Sequence, residues 1–284
     1  MQTLLLGTAQ WGLDYGATNA DGRIADPVLT SLIDAATESG ITYLDTAAAY
    51  GDAELRIAEL AGSFEVQTKV SASGLDAAAI LGAVEAGLDR LGREAIGGVL
   101  VHDWPGLDPL GRQAAAEGLQ QARSDGLAVR IGVSAYSADD LVSAIHDFPD
   151  LDVVQVPVSV LDQRLDGDAA VAALRAKGVR VQARSVLLQG VALAPTTGSP
   201  FADHPSVRAL ATTSNDLGVT PLQLCMAYVR TRPWIDELVI AATTAAELTG
   251  IVDAYESPGP DTAWRLLAAT DLDLIDPRRW TAAG

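Results

Sequence analysis

Eight short runs of β-branched and other apolar residues recur along the chain, separated by longer stretches with a helical period. The strand-forming runs fall at 2–6, 41–45, 65–70, 98–102, 129–133, 152–156, 179–184 and 237–241. A strand that is apolar at nearly every position is covered on both faces, as in a parallel sheet packed against helices. The intervening stretches carry apolar residues at helical spacing. In "LDAAAILGAVEAGLDRLG", 75–92, Ile80, Val84, Leu88 and Leu91 fall on one side, and in "ADDLVSAIHDF", 138–148, Leu141, Ile145 and Phe148 do the same. Eight strand–helix alternations predict an α/β chain folded as a (β/α)8 TIM barrel, one domain over 1–284 with a C-terminal tail. An open doubly wound sheet is the rival. It usually carries a G-x-G-x-x-G loop after the first strand, and "GTAQWGLDYG" lacks that spacing. The stretch 194–205 reads as a loop inserted in the barrel, and the tail as holding a short helix around 263–269.

Composition removes several function classes. Acidic residues outnumber basic ones 37 to 19, for a net charge of −18, and no run of Lys and Arg offers a footprint for a phosphate backbone. No nucleic-acid partner is therefore expected. No segment approaches ~18 apolar residues, so no membrane span is expected. The opening "MQTLLLGTAQ" lacks a basic n-region and reads as a first strand rather than a signal peptide, which makes the cytoplasm the expected compartment. The one cysteine, Cys225, rules out an internal disulfide and sits with Leu222, Met226 and Val229 at helical spacing, as a buried thiol would. His146 and His204 have no ligand spacing to each other or to His102, and no metal site is expected. No isolated amphipathic arm marks an oligomer interface.

In a barrel of this kind the chemistry sits on the loops after the C-terminal strand ends. Strand 2 ends at Asp45, with Tyr50 on the loop beyond. Strand 3 carries Lys69, and strand 4 ends at His102. This set suits proton transfer to a carbonyl oxygen. A tyrosine is a weak acid near neutral pH, and an adjacent ammonium stabilises its phenolate. An aspartate would hold the ammonium, and a histidine could donate to the same carbonyl oxygen. Each residue has a structural alternative: Asp45 as a helix cap, Lys69 as a snorkelling strand end, His102 as a satisfied near-core side chain. Their convergence on one rim favours the chemical reading.

The segments "LDTAAAYG", "QTKV" and "LVHDWP" resemble the aldo-keto reductases in order and interval, and the resemblance runs from "LLLGTAQWG" to "LTGIVDAY". It implies a (β/α)8 barrel that binds NADP(H) in an extended conformation and moves a hydride between nicotinamide C4 and the carbonyl carbon of a small-molecule substrate. Carried over, Tyr50 is the general acid, Lys69 and Asp45 tune it, His102 orients the carbonyl, and Glu54 matches an acidic position after the tyrosine. Gly7 and Thr8 match the strand-1 turn near the nicotinamide. Ser134 and Gln155 match residues that hold the carboxamide, although Ala135 replaces the usual asparagine. Trp11 and Trp104 stand where aromatic residues wall a substrate pocket, with plain core packing as the other reading. "VSVLDQRL" and "ARSVLLQG" resemble a branch associated with bacterial sugar biosynthesis, which implies a sugar-like substrate.

Two segments depart from the family pattern. In "ARSVLL", Arg184 stands at the position of the tyrosine that stacks on the nicotinamide, followed by Ser185, with Val186 at the proline. A guanidinium can lie against an aromatic ring, and an anionic substrate group is another partner for it. In "VIAATTAAELTGIVDAY", Thr243 and Thr244 replace the basic pair that grips the 2′-phosphate of NADP, Ala241 replaces the glycine and Ile251 the asparagine. The helix start near Thr244 could still receive a phosphate. Three readings follow: a reductase with relaxed cofactor choice that accepts NAD(H) as well as NADP(H); a redox-neutral acid–base enzyme, a lyase, dehydratase or isomerase, that needs no dinucleotide; and a ligand-binding barrel without turnover.

Overall fold

The computed structural model describes residues 2–193, 199 and 201–280. Eight parallel strands pair in chain order and close on themselves: β1 (Thr3–Gly7), β2 (Tyr43–Asp45), β3 (Glu65–Val70), β4 (Ile96–Val101), β5 (Ala128–Ser134), β6 (Val153–Pro157), β7 (Arg180–Arg184) and β8 (Glu237–Ile240). The last pairing, β8 with β1, joins Leu6 to Ile240. Around them lie α1 (Asp26–Glu38), α2 (Ala53–Leu60), α3 (Ala77–Leu91), α4 (Pro109–Ser124), α5 (Ala138–Asp147), α6 (Ala169–Ala176), α7 (Pro205–Leu217), α8 (Pro221–Arg230) and α9 (Ala245–Glu256). The expected barrel is the observed one, with every strand boundary shifted by two residues or fewer. In the expected loop at 194–205, residues 194–198 and 200 lie outside the described residues, and α7 begins at its end. The tail forms a 3-10 turn at Trp264–Leu267.

The helices begin and end where their sequence provides partners for free backbone groups. Asp76 accepts from the Ala79 amide to start α3, and Ser137 and Asp140 form a reciprocal capping box at α5. Thr220 and Gln223 do the same for α8, with Pro221 in its first turn. The apolar stripe of α3 packs inward through Ile80, Val84, Leu88 and Leu91, as its spacing requires. In α5 Leu141 is fully buried, contributing about 1.5–3 kcal/mol by its removal from water. All six residues of β4 and all five of β6 are buried, the double coverage read from the sequence. Cys225 is buried on α8, where removal from water pushes its thiol up to about 12.

The inside of the barrel departs from the branched-aliphatic filling usual for this architecture. A polar network crosses it, joining strands that are not neighbours. Gln67 on β3 donates to Gln182 on β7 at 2.9 Å and receives a bond in return. Gln182 in turn donates to Glu237 on β8, which also accepts from Arg130 on β5 and Arg180 on β7. Gln67, Gln155, Gln182 and Glu237 are all buried. Buried amides and carboxylates are tolerable only when their polar atoms are paired, and this network pairs most of them.

Candidate active site

The C-terminal strand ends open into a cavity of about 850 Å³ lined by Asp45, Tyr50, Lys69 and His102, together with Gly7, Thr8, Ser134, Gln155, Arg184, Ser185 and Thr243. Its position follows from the alternation of side chains along the strands. Asp45 is the last residue of β2 and pairs in register with Gln67, and Lys69 lies two residues further along β3 on the same face.

The Asp45 carboxylate takes three side-chain donors. One oxygen takes the Lys69 ammonium at 2.6 Å, and the other takes the side-chain amides of Gln67 at 2.8 Å and Gln155 at 2.9 Å. Lys69 also donates to the Thr46 carbonyl at 3.2 Å. Both charges are almost wholly removed from solvent. Burial works against the Lys69 ammonium, but the Asp45 carboxylate and Tyr50 together outweigh it and hold the lysine above its usual range. The ammonium lies 5.3 Å from the centre of the Tyr50 ring.

Tyr50 is set by the backbone around it. Its amide donates to the Ala47 carbonyl, and Ala48 donates to the Lys69 carbonyl, tying the loop to β3. The turn after β1 passes so close that a Cβ on Gly12 would lie 1.9 Å from the Tyr50 carbonyl oxygen. Gly51, at φ +59°, returns the contact, since its Cβ would lie 2.4 Å from the Gly12 carbonyl. Glu54 is buried beneath this loop, accepting from Thr68 on β3 and from Arg90 on α3 at 2.6 Å. It anchors α2 and does not line the cavity.

The His102 ring stands 5.9 Å from that of Tyr50 and perpendicular to it. Burial, with the positive charges of Lys69 and Arg184, pushes its pKa down to about 4. The imidazole is neutral at neutral pH and offers one N–H. Asp103, its neighbour, accepts from the backbone of Ala72 and Ser73 and from the Ser71 hydroxyl, locking the β4 loop to the β3 loop.

Several expected site residues stand elsewhere. Trp11 and Trp104 are fully buried and do not line the cavity. Trp104 stacks on Phe148 and donates to Ser143, so large apolar rings on these turns pack beneath the loops instead of walling a pocket. Thr244 is likewise outside the cavity lining. Its hydroxyl caps α9 by accepting from the Glu247 amide. Thr243 does line it, but its amide and hydroxyl both donate to the Glu247 carboxylate, at 2.7 and 2.8 Å. The helix start expected to receive a phosphate thus already carries an acid. Arg184 stacks on Tyr136, 4.1 Å from its ring centre.

Other residues of the site were not foreseen. Gln67 holds Asp45 from below and donates in turn to Gln182, and Tyr15, Tyr136 and Glu247 line the cavity. The two glutamines had a readable signal, since each sits two residues before a rim residue, Lys69 or Arg184, on the same face of its strand. The tyrosines, on loops, had none. Among the described residues, no cluster of three or more His, Cys, Asp or Glu is placed to hold a metal ion, and no helix is long and apolar enough to cross a membrane.

The buried Oε1 of Gln155 has no protein partner, while its amide nitrogen is committed to Asp45 and Gln182. Because Gln155 lines the cavity, that oxygen is an acceptor waiting for an N–H donor such as a carboxamide.

An aldo-keto reductase of Mycobacterium ulcerans is 30% identical over 214 residues, 72% of this chain and 70% of that protein. One of Mycolicibacterium smegmatis is 32% identical over 130 residues, and the match spans under half of either protein, 44% and 46%. Two solved structures share the fold. An aldo-keto reductase from a deep-sea metagenome library covers 95% of this chain at TM-score 0.72 and 16% identity, with 93% of its own length matched. A Pseudomonas aeruginosa protein described as an aldo-keto reductase covers 89% of this chain at TM-score 0.67 and 21% identity, with 88% of its own length matched. The Aldo/keto reductase family itself matches residues 3–271, almost the whole barrel, and the chain belongs to that family.

Proposed function

We propose that the protein reduces the carbonyl group of a small polar substrate, with Tyr50 as general acid and NAD(P)H as reductant. The observation that carries this reading is the buried Lys69–Asp45 pair beneath the Tyr50 ring, with a neutral His102 across from it in the same cavity. Tyr50 gives its proton to the carbonyl oxygen. Lys69, fixed by Asp45 and the Thr46 carbonyl, offsets the negative charge left on the phenolic oxygen. His102 donates its N–H to the same substrate oxygen without adding a charge. A bound nicotinamide would supply the hydride to the carbonyl carbon. Gln155 Oε1 and Ser134 would hold its carboxamide, with Gly7 and Thr8 as the adjoining wall. Ser185 and Thr243 lie along the rest of the cavity.

The cofactor preference follows from charge. The cavity lining contains two cations, Lys69 and Arg184, and the α9 end of it presents Glu247 with no basic residue beside it. A 2′-phosphate at that end meets a carboxylate, whereas a ribose hydroxyl can donate to it. NADPH and NADH are both accepted on this reading, with NADH at least as favourable. Fluorescence titration of the folded protein with each nucleotide is the test. Binding of either one supports the reductase, and binding of neither overturns it in favour of redox-neutral acid–base chemistry by the same tetrad.

A further inference from the structure

Arg184 is the cavity cation that has no acid. Lys69 is paired with Asp45, and Arg278, the other guanidinium on the Tyr136 ring, is paired with Asp276 at 2.6 Å. The hydrogen bonds of Arg184 run only to the Ser185 hydroxyl and the Ala135 carbonyl, both at 3.3 Å. Two of its five N–H groups are used in this way, and among the described residues no carboxylate pairs with it. It is only partly exposed, and stacking 4.1 Å from the Tyr136 ring centre holds the plane of the group in place. An arginine fixed in orientation, half-buried and uncompensated inside a cavity is a fork built for a planar anion.

Resting on the carbonyl-reduction reading of the same cavity, we propose that Arg184 binds a carboxylate on the substrate, so that the protein acts on oxo acids. The alternative source of an anion is the phosphate bridge of the nucleotide. The placement of Arg184 favours the substrate, because it ends β7 on the rim that carries the tetrad, and its charge bears directly on both His102 and Lys69. A carboxylate seated there pairs the one of the two cations that Asp45, committed to Lys69, leaves without a partner.

Isothermal titration of the whole protein with phenylglyoxylate and with its primary amide, without nucleotide, tests this. The two probes differ in charge and share the keto group and ring. The acid is expected to bind about 10- to 100-fold more tightly than the amide, the worth of a charged hydrogen bond. Arg184→Met should bring the two within about threefold, and Arg184→Lys should retain part of the preference. Without any variant, the acid's affinity should fall with added salt while the amide's stays level. Equal binding of acid and amide by the unsubstituted protein, or an undiminished preference in Arg184→Met, would overturn the proposal. So would a loss of NADH and NADPH binding in that variant with the acid preference intact, which would assign Arg184 to the nucleotide phosphates. None of these readouts needs turnover, so a failure of the reductase reading is seen separately.

Discussion

Gly12 and Tyr50 meet through their backbones, and the gap between them has no room for a methyl group: a Cβ on Gly12 would lie 1.9 Å from the Tyr50 carbonyl oxygen. The turn after β1 and the loop after β2 are thereby wedged together, and the wedge sets the height of the Tyr50 ring over Lys69. Gly12→Ala should push the tyrosine out of place while leaving the barrel closed. A misplacement of about 1 Å in a reacting group can cost on the order of 100-fold in rate. The expected result is a fall in kcat toward that of Tyr50→Phe with an unchanged far-UV circular dichroism spectrum. Wild-type kcat in Gly12→Ala would mean that the contact does not position the tyrosine.

The Lys69–Asp45 pair should also matter to stability. Lys69→Met leaves a carboxylate buried with two amide donors and no counter-charge. Removing one partner of a buried ion pair typically costs about 3–5 kcal/mol, so the urea midpoint should drop accordingly. Adding Asp45→Asn to Lys69→Met should recover part of the loss, since the orphaned charge is then gone. A double variant no more stable than Lys69→Met would show that the penalty lies elsewhere.

His102 should titrate well below an unperturbed imidazole. Its folded value is pushed down to about 4, against about 6.5 for an unperturbed imidazole. Between these values the unfolded chain binds a proton that the native protein does not. Stability therefore falls as pH drops from 6.5 towards 4, and this contribution is fully present above 6.5. The chain has three histidines, so the imidazole proton resonances can be assigned by substitution. The His102 signal should stay at its neutral shift at pH 5.5. A midpoint near 6.5 would remove the neutral donor from the mechanism.

Glu247 should decide between the nucleotides. Glu247→Arg places a cation where the carboxylate now takes both donors of Thr243. The variant should bind NADPH roughly 10-fold more tightly relative to NADH than the wild type does, by the strength of Arg–phosphate pairing. An unchanged NADPH-to-NADH ratio in fluorescence titrations would place the 2′ position away from α9.

Gln67 should act on the reaction through Asp45. Gln67→Leu removes one of the two amides that hold a carboxylate oxygen and breaks the cross-barrel link to Gln182. Asp45 then loses a donor that fixes its orientation toward Lys69, so kcat should fall with KM little changed, a split that general loosening of the fold would not produce. Gln67→Asn, which keeps an amide, should restore part of kcat.

The alternation of buried strands and amphipathic helices by itself determined the barrel, because period and burial are written residue by residue along the chain. It also determined the rim: Asp45, Tyr50, Lys69 and His102 fall at successive strand ends, and in a parallel barrel all strand ends on one side face a common opening. What the sequence could not express was pairing across the barrel. The bonds from Gln67 to Gln182 and from Arg130 to Glu237 span more than a hundred residues, and they form only once the sheet closes. Loop packing was likewise beyond local pattern. Trp11 and Trp104 carry the same residue type whether they wall a pocket or fill a core, and only the assembled neighbours bury them. The fate of Thr243 and Thr244 turned on the rotation of α9, which aims Glu247 back at Thr243 and claims its donors. Sequence spacing thus placed the rim residues, while the charge balance of the cavity arises from contacts between segments far apart in the chain.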